Sequence, residues 1–185
     1  MININDIKQI STLLDRKKII KYELISNSFN INCVKIYLSN NKILIAKYYS
    51  KKNNNFNAII SEKQNLKYLE EKNIKCFPKI IFSNENYLIT EYIENNNNKP
   101  KKTNLDFLKA IIEIHSFTNN SYGFKFDTQI GGVKHENQYK KNWADFYLNT
   151  RLYYFFDLAN KANLLDKSIR DKIDIVMKQI KNLIP

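Results

Sequence analysis

The chain has 185 residues, enough for one domain with a real core or for a small lobe plus part of a second. Lysine and arginine number 30 against 18 acidic residues, a net charge of +12, but the lysines stand in ones and twos (Lys17-Lys18, Lys51-Lys52, Lys101-Lys102, Lys140-Lys141) without an arginine cluster, which argues against a nucleic-acid surface. Cys33, Cys76, His115 and His135 lack metal-ligand spacing, and no apolar leader or membrane-length stretch is found, so the expectation is a cytoplasmic chain with free thiols and neither zinc nor membrane contact.

Residues 7–20 mix apolar and charged positions at helical spacing, and 25–34 read as an irregular polar stretch leading into a strand pair. Strands are predicted over 34–38 and 43–49, joined by Ser39-Asn40-Asn41-Lys42, whose asparagines tolerate the left-handed backbone of a tight turn. A helix follows over 57–71. Two further antiparallel strands, 79–82 and 87–93, flank a turn at 83–86.

The asparagine run from Asn95 with Pro100 reads as a linker. Beyond it the pattern is helical. Thr103-Asn104-Leu105-Asp106 resembles a capping box, with Leu108, Ile111, Ile112 and His115 continuing at helical spacing. Gly123, Gly131 and Gly132, the three glycines of the chain, fall in a loop, and helices are expected over 142–160 and 168–183. The order is α+β in two parts: 1–94 as a sheet-and-helix lobe, 95–102 as a hinge, and 103–185 as the first helices of a second lobe.

Strand alternation puts Ile43, Ile45 and Lys47 on one face, placing an ammonium on an apolar side. Alone, Lys47 reads as a strand-end lysine snorkelling to solvent. The helix changes that reading, because its stripe Ile59, Glu62, Leu66, Leu69 carries a carboxylate where a hydrophobe is due. A buried carboxylate needs a partner, and Lys47 supplies one. A strand lysine held by a helix glutamate is how kinases present an ammonium to the phosphates of ATP. Glu91, Tyr92 and Ile93 then sit where a hinge offers backbone groups to adenine. Residues 26–32, where a phosphate cradle belongs, contain no glycine.

Tyr122-Gly123-Phe124, Asp127, Ile130-Gly131, Asn137, Trp143, Phe146-Tyr147 and Arg151-Leu152 resemble the pattern of the fructosamine (ketosamine) kinase family. Glu62, Leu66 and Leu69, the stretch 87–93, and the stretch 108–115 resemble family segments upstream. His135, Tyr139 and Asn142 depart from the pattern, as does the glycine-free loop. The resemblance implies a protein-kinase-like, aminoglycoside-phosphotransferase-like fold, and an ATP- and Mg2+-dependent kinase of the sugar in glycated amines, reversing protein glycation. By that analogy Lys47 orients phosphates, Glu62 positions Lys47, and 91–93 hold adenine. Asp127, Asn137, Trp143 and Arg151 lie on the substrate side or are structural, and for Trp143, Phe146 and Arg151 helix packing is favoured.

The family's catalytic H-G-D loop and its magnesium-binding D-P-A segment have no counterpart in these 185 residues. The expectation is a family member covering the N-terminal portion, inactive alone, with magnesium ligands and catalytic carboxylate supplied elsewhere, for instance by a second chain. A non-catalytic pseudokinase module that binds nucleotide or protein is the alternative, and a basic nucleic-acid binder the third.

Overall fold

The computed structural model describes residues 2–51, 56–95, 98 and 105–180, which divide into two compact units, Met1–Phe117 and Thr118–Pro185. The architecture is α+β, as the order of sequence patterns implies.

The first unit begins with α1 (Ile4–Leu13), whose Asn3 side chain caps the helix by accepting from Asn5 N–H. Ile7, Ile10 and Leu14 are spaced by three and four residues and are buried together. The helix predicted over 7–20 stops earlier because Asp15 and Arg16 turn left-handed, with φ of 55° and 58°. The chain then enters β1 (Ile19–Ser28), not the irregular stretch expected over 25–34.

β1 pairs antiparallel with β2 (Ile31–Leu38), β2 with β3 (Ile43–Tyr49), β3 with β5 (Tyr87–Glu91), and β5 with β4 (Ile80–Ser83), giving the order β1-β2-β3-β5-β4. The β2–β3 turn carries Asn41 at φ 64°, the left-handed residue foreseen there. Asn84 organises the β4–β5 turn, its side-chain oxygen accepting from the N–H groups of Asn86 and Tyr87. Between β3 and β4 runs α2 (Ala58–Glu71), capped by Asn57 through bonds to Ile59 and Ile60 N–H.

The sheet has one deeply buried face. Val34, Ile36 and Leu38 of β2, Leu44, Ala46 and Tyr48 of β3, and Ile89 of β5 pack under α1. The sequence reading placed Ile43, Ile45 and Lys47 on an apolar side. It is the shallower face, half-buried at every β3 position, because α1 covers the other side. α3 (Leu105–His115) completes the unit, and none of its residues is buried. The residues of the expected capping box at Thr103 and Asn104 lie outside the described residues.

In the second unit, β6 (Thr128–Ile130) and β7 (Val133–His135) form a short hairpin where sequence suggested only a loop. Its turn uses Gly131 and Gly132 at φ 53° and 84°. α4 (Trp143–Tyr147) runs through a π-helical turn (Leu148–Tyr153) into α5 (Tyr154–Lys161), in place of one regular helix over 142–160. The cause is local: the Asn149 and Thr150 side chains donate to the carbonyls of Asp145 and Phe146 four residues back, competing with the backbone amides for them. α6 (Lys167–Ile180) follows; of the helix expected over 168–183, residues 181–183 lie outside the described residues. α5 and α6 border an open apolar groove of about 470 Å³, lined by Leu152, Phe155, Phe156, Val176, Met177 and Ile180 among others.

Candidate nucleotide-facing site

The shallower face of the first unit's sheet is built in rows. Residues directly opposite in an antiparallel pair share a face, so the register Cys33↔Lys47↔Leu88 defines one row and Lys35↔Ile45↔Thr90 the next. Tyr37 and Ile43 form a third, where Tyr92 N–H donates to Ile43 O at 3.3 Å. Leu88 and Thr90 are buried, giving the face an apolar floor at one edge.

Lys47 Nζ donates to Glu62 Oε1 at 2.6 Å, joining β3 to α2. The side chains stay 32% and 27% exposed, so solvent screens the pair, and such a bridge contributes about 0–1 kcal/mol to stability. Among the described residues this is the ammonium's single polar partner, leaving two N–H donors directed elsewhere. Beside it, burial pushes the Cys33 thiol up from its ordinary value, with the Lys47 charge pulling the opposite way and Glu62 adding to the rise.

Residues 91–93 are arranged less uniformly than sequence suggested. Glu91 N–H donates to Lys79 O, and its carboxylate accepts from Lys79 N–H, both at 3.0 Å. Its side chain lies on the face opposite Lys47, since Glu91 pairs with Leu44. Tyr92 N–H is spent on β3, and its ring lies on the Lys47 side beneath the ammonium of Lys35, 3.9 Å from the ring centroid. Ile93 is exposed.

The stretch 26–32 is a tight β1–β2 hairpin with Phe29 and Asn30 at φ 51° and 61°, the two consecutive left-handed positions of a type I′ turn. Asn30 O accepts from Ser50 N–H at 2.7 Å and from Ser50 Oγ at 3.0 Å, tying the tip to the end of β3. Lys35 and Thr90 escaped the sequence reading. Period-two counting along β2 finds Lys35 once the register with Lys47 is known, and nothing short of the β3–β5 pairing finds Thr90.

Asp127, Asn137 and Arg151 meet in the second unit. Asn137, 3% exposed, donates from its N–H to Asp127 Oδ1 and from Nδ2 to Phe126 O and Thr128 Oγ1. Its Oδ1 accepts from Arg151 Nη2 at 2.6 Å, while Arg151 Nη1 donates to the carbonyls of Glu136 and Thr150. The guanidinium also lies over Phe146, and Asp127 Oδ2 pairs with Lys134 at 3.0 Å, the bond that raises the Lys134 pKa most. Trp143 is engaged by Tyr122, Phe146 and Tyr147 at ring separations of 5.6 Å. This constellation closes on itself.

Among the described residues no three His, Cys, Asp or Glu side chains cluster as a metal site. No described helix is long and apolar enough to cross a membrane.

Residues 8–185 match the family model described as fructosamine kinase. A Vibrio parahaemolyticus protein named as a ketoamine kinase is 22% identical over 129 residues, which is 67% of this chain and 45% of that protein. Solved proteins named as fructosamine-3-kinases share the fold: one from Thermobifida fusca (TM-score 0.75, 16% identity, 95% of this chain and 60% of that one) and one from Haemophilus somnus (0.73, 19%, 97% and 62%). The streptomycin–ATP ternary complex of APH(2")-IIa is more distant at a TM-score of 0.58 and 14% identity, over 98% of this chain and 60% of that one. The chain thus spans about half the length of the curated relative and about three-fifths of the solved ones.

Proposed function

The chain belongs to the fructosamine kinase family, and from that premise we propose that residues 1–94 hold ATP for phosphorylation of the sugar in glycated amines. The observation that carries this reading is the Lys47–Glu62 ion pair, made across an open sheet face with two ammonium donors left over. In this reading Glu62 fixes the rotamer of Lys47, and Lys47 presents its free donors to phosphate oxygens. Backbone groups of residues 91–93 receive adenine, with the Glu91 side chain anchoring the strand end through Lys79. In this reading residues 95–102, of which 96, 97 and 99–102 lie outside the described residues, are the hinge, and α3, though grouped with the first unit, opens the second lobe.

The donor set fits a phosphate: an ammonium against anionic oxygens, braced by a carboxylate. It does not fit magnesium or the chemical step. Phosphoryl transfer moves the terminal phosphoryl group to a sugar hydroxyl, releases ADP, and needs a carboxylate to take the hydroxyl proton and another to hold Mg2+. No H-G-D or D-P-A segment occurs in the 185 residues, so in this reading neither carboxylate is supplied by such a motif here. Asp127, Asn137 and Arg151 serve as scaffold in this reading through the bonds they exchange, and Trp143 through its ring contacts with Tyr122, Phe146 and Tyr147.

Calorimetric titration of the 185 residues with ATP tests the proposal. Binding that Lys47→Met weakens at least about tenfold is expected, and absence of ATP binding removes it. Magnesium-dependent ATP consumption by these residues, lost in Lys47→Ala, would overturn the inactivity. The second reading, a non-catalytic binding module, is favoured by the glycine-free hairpin and predicts binding without rescue when the C-terminal half of a ketosamine kinase is added.

A further inference from the structure

We propose that Lys35 is a second phosphate-binding cation of this face, parked on aromatic rings in the free chain and released to a polyphosphate when one binds. The proposal rests on the nucleotide reading of the face and adds a residue to it.

Three observations carry it. Lys35 lies on the same face as Lys47, one row away, because Lys35 stands opposite Ile45 and Cys33 stands opposite Lys47. Two residues along a strand amount to about 7 Å, within reach of a flexible four-carbon stem. Second, among the described residues Lys35 makes no ion pair. Glu23, its neighbour across β1, is occupied by Lys21 and by the Tyr37 hydroxyl, which donates to Glu23 Oε2 at 3.0 Å. Instead the Lys35 ammonium rests 3.9 Å from the Tyr92 ring centroid and 5.3 Å from that of Tyr37. A cation–π contact at a half-exposed site is weaker than a charge-assisted bond to phosphate, so a triphosphate can draw the ammonium off the rings.

The third observation is the hairpin tip. A kinase cradle relies on glycines that let backbone amides approach phosphate. Here the tip is Phe29-Asn30, fastened to Ser50, with side chains at every position from 26 to 32. Positive charge for the phosphates therefore has to come from side chains. Lys35 is the cation on this face other than Lys47 that β2 and β3 place within one row of it.

The test titrates the full 185-residue chain at low salt with ATP, inorganic triphosphate and adenosine, in wild type, Lys35→Met and Lys35→Arg. Lys35→Met is expected to weaken ATP and triphosphate alike by about tenfold while leaving adenosine within about twofold, and Lys35→Arg to recover most of the loss. Lys35 is half-buried on an open face, so the methionine variant should keep the wild-type circular dichroism and melting curve. Unchanged triphosphate binding in Lys35→Met overturns the proposal, as does an equal loss of adenosine, which would place Lys35 on the base. If wild type binds neither ATP nor triphosphate, the nucleotide reading of the face fails first, and Lys35 falls with it.

Discussion

Two polar constellations in this chain look alike as sequence and differ in how fully their atoms are used. Arg151 donates to three oxygens, Asn137 uses both ends of its amide, and the group sits over Phe146 beside a hairpin it fastens. Lys47 has one polar partner and faces an open sheet surface. With three of five guanidinium donors and both ends of the Asn137 amide engaged, this network rigidifies, because a missing partner leaves a group unpaired. An unsaturated one retains donors for something not yet present. On that difference rests the proposal that the second unit's motif residues are scaffold and that the first unit's ion pair meets ligand.

The largest effect should come from prying the saturated network apart at its backbone. Gly123 has φ +138°, and a Cβ there would lie 2.8 Å from Asn137 O and 3.0 Å from Tyr139 Cα. Neither atom belongs to a flexible side chain. Gly123→Ala should cost about 3 kcal/mol. Trp143 is the chain's single tryptophan and lies in the second unit among Tyr122, Phe146 and Tyr147, so its fluorescence during urea unfolding reports that unit. A variant as stable as wild type would mean that segment 122–124 is not pinned against 137–139.

Asn137→Ala attacks the same network through its side chain. It leaves the Arg151 guanidinium one acceptor short and Thr128 without its donor, at an expected cost of about 2 kcal/mol by the same fluorescence signal. ATP affinity should not follow. If binding collapses with Asn137→Ala while the unit stays folded, the contrast between the two constellations is wrong, and the saturated one touches ligand.

Lys47→Met should show the mirror image. Stability changes by no more than about 1 kcal/mol, since the ion pair is a third exposed, while ATP affinity falls at least about tenfold. Glu62→Gln should give a smaller binding loss, because the amide can still hold the lysine without its charge. A glutamine variant weaker than the methionine one would show that Glu62 does more than brace Lys47.

What sequence revealed of this contrast follows from which signals burial imprints on a chain. β3 alternates buried and half-buried positions, β5 is buried through its middle, and Glu62 stood out because it interrupts the apolar sequence stripe of α2. β1 escaped because it is an edge strand with nearly every side chain exposed and two register shifts, so no alternation is required of it. Which of the two sheet faces lies deeper was not legible. Ile43 and Ile45 are as apolar as Leu44 and Ala46, and the decision rests with α1, a long-range contact that no local period encodes. The Arg151 network was invisible for a related reason: its partners are the Asn137 side chain and the carbonyls of Glu136 and Thr150, and no local period encodes their meeting at a π turn.

The smallest expected effect probes the edge of the saturated network by pH. His135 packs against the Phe155 ring at 4.8 Å, and burial, with the Arg151 charge adding to it, lowers its pKa from 6.5. The unfolded chain therefore binds a proton more readily than the folded one. Stability from this group is complete above about pH 6.5 and declines as pH falls through the lower folded value. Trp143-monitored urea midpoints should drop between about pH 7.5 and pH 5.5 in wild type, and His135→Phe should abolish most of that drop. The other histidine, His115, lies in the first unit, so a decline that persists in His135→Phe cannot be laid to imidazole titration within the second unit.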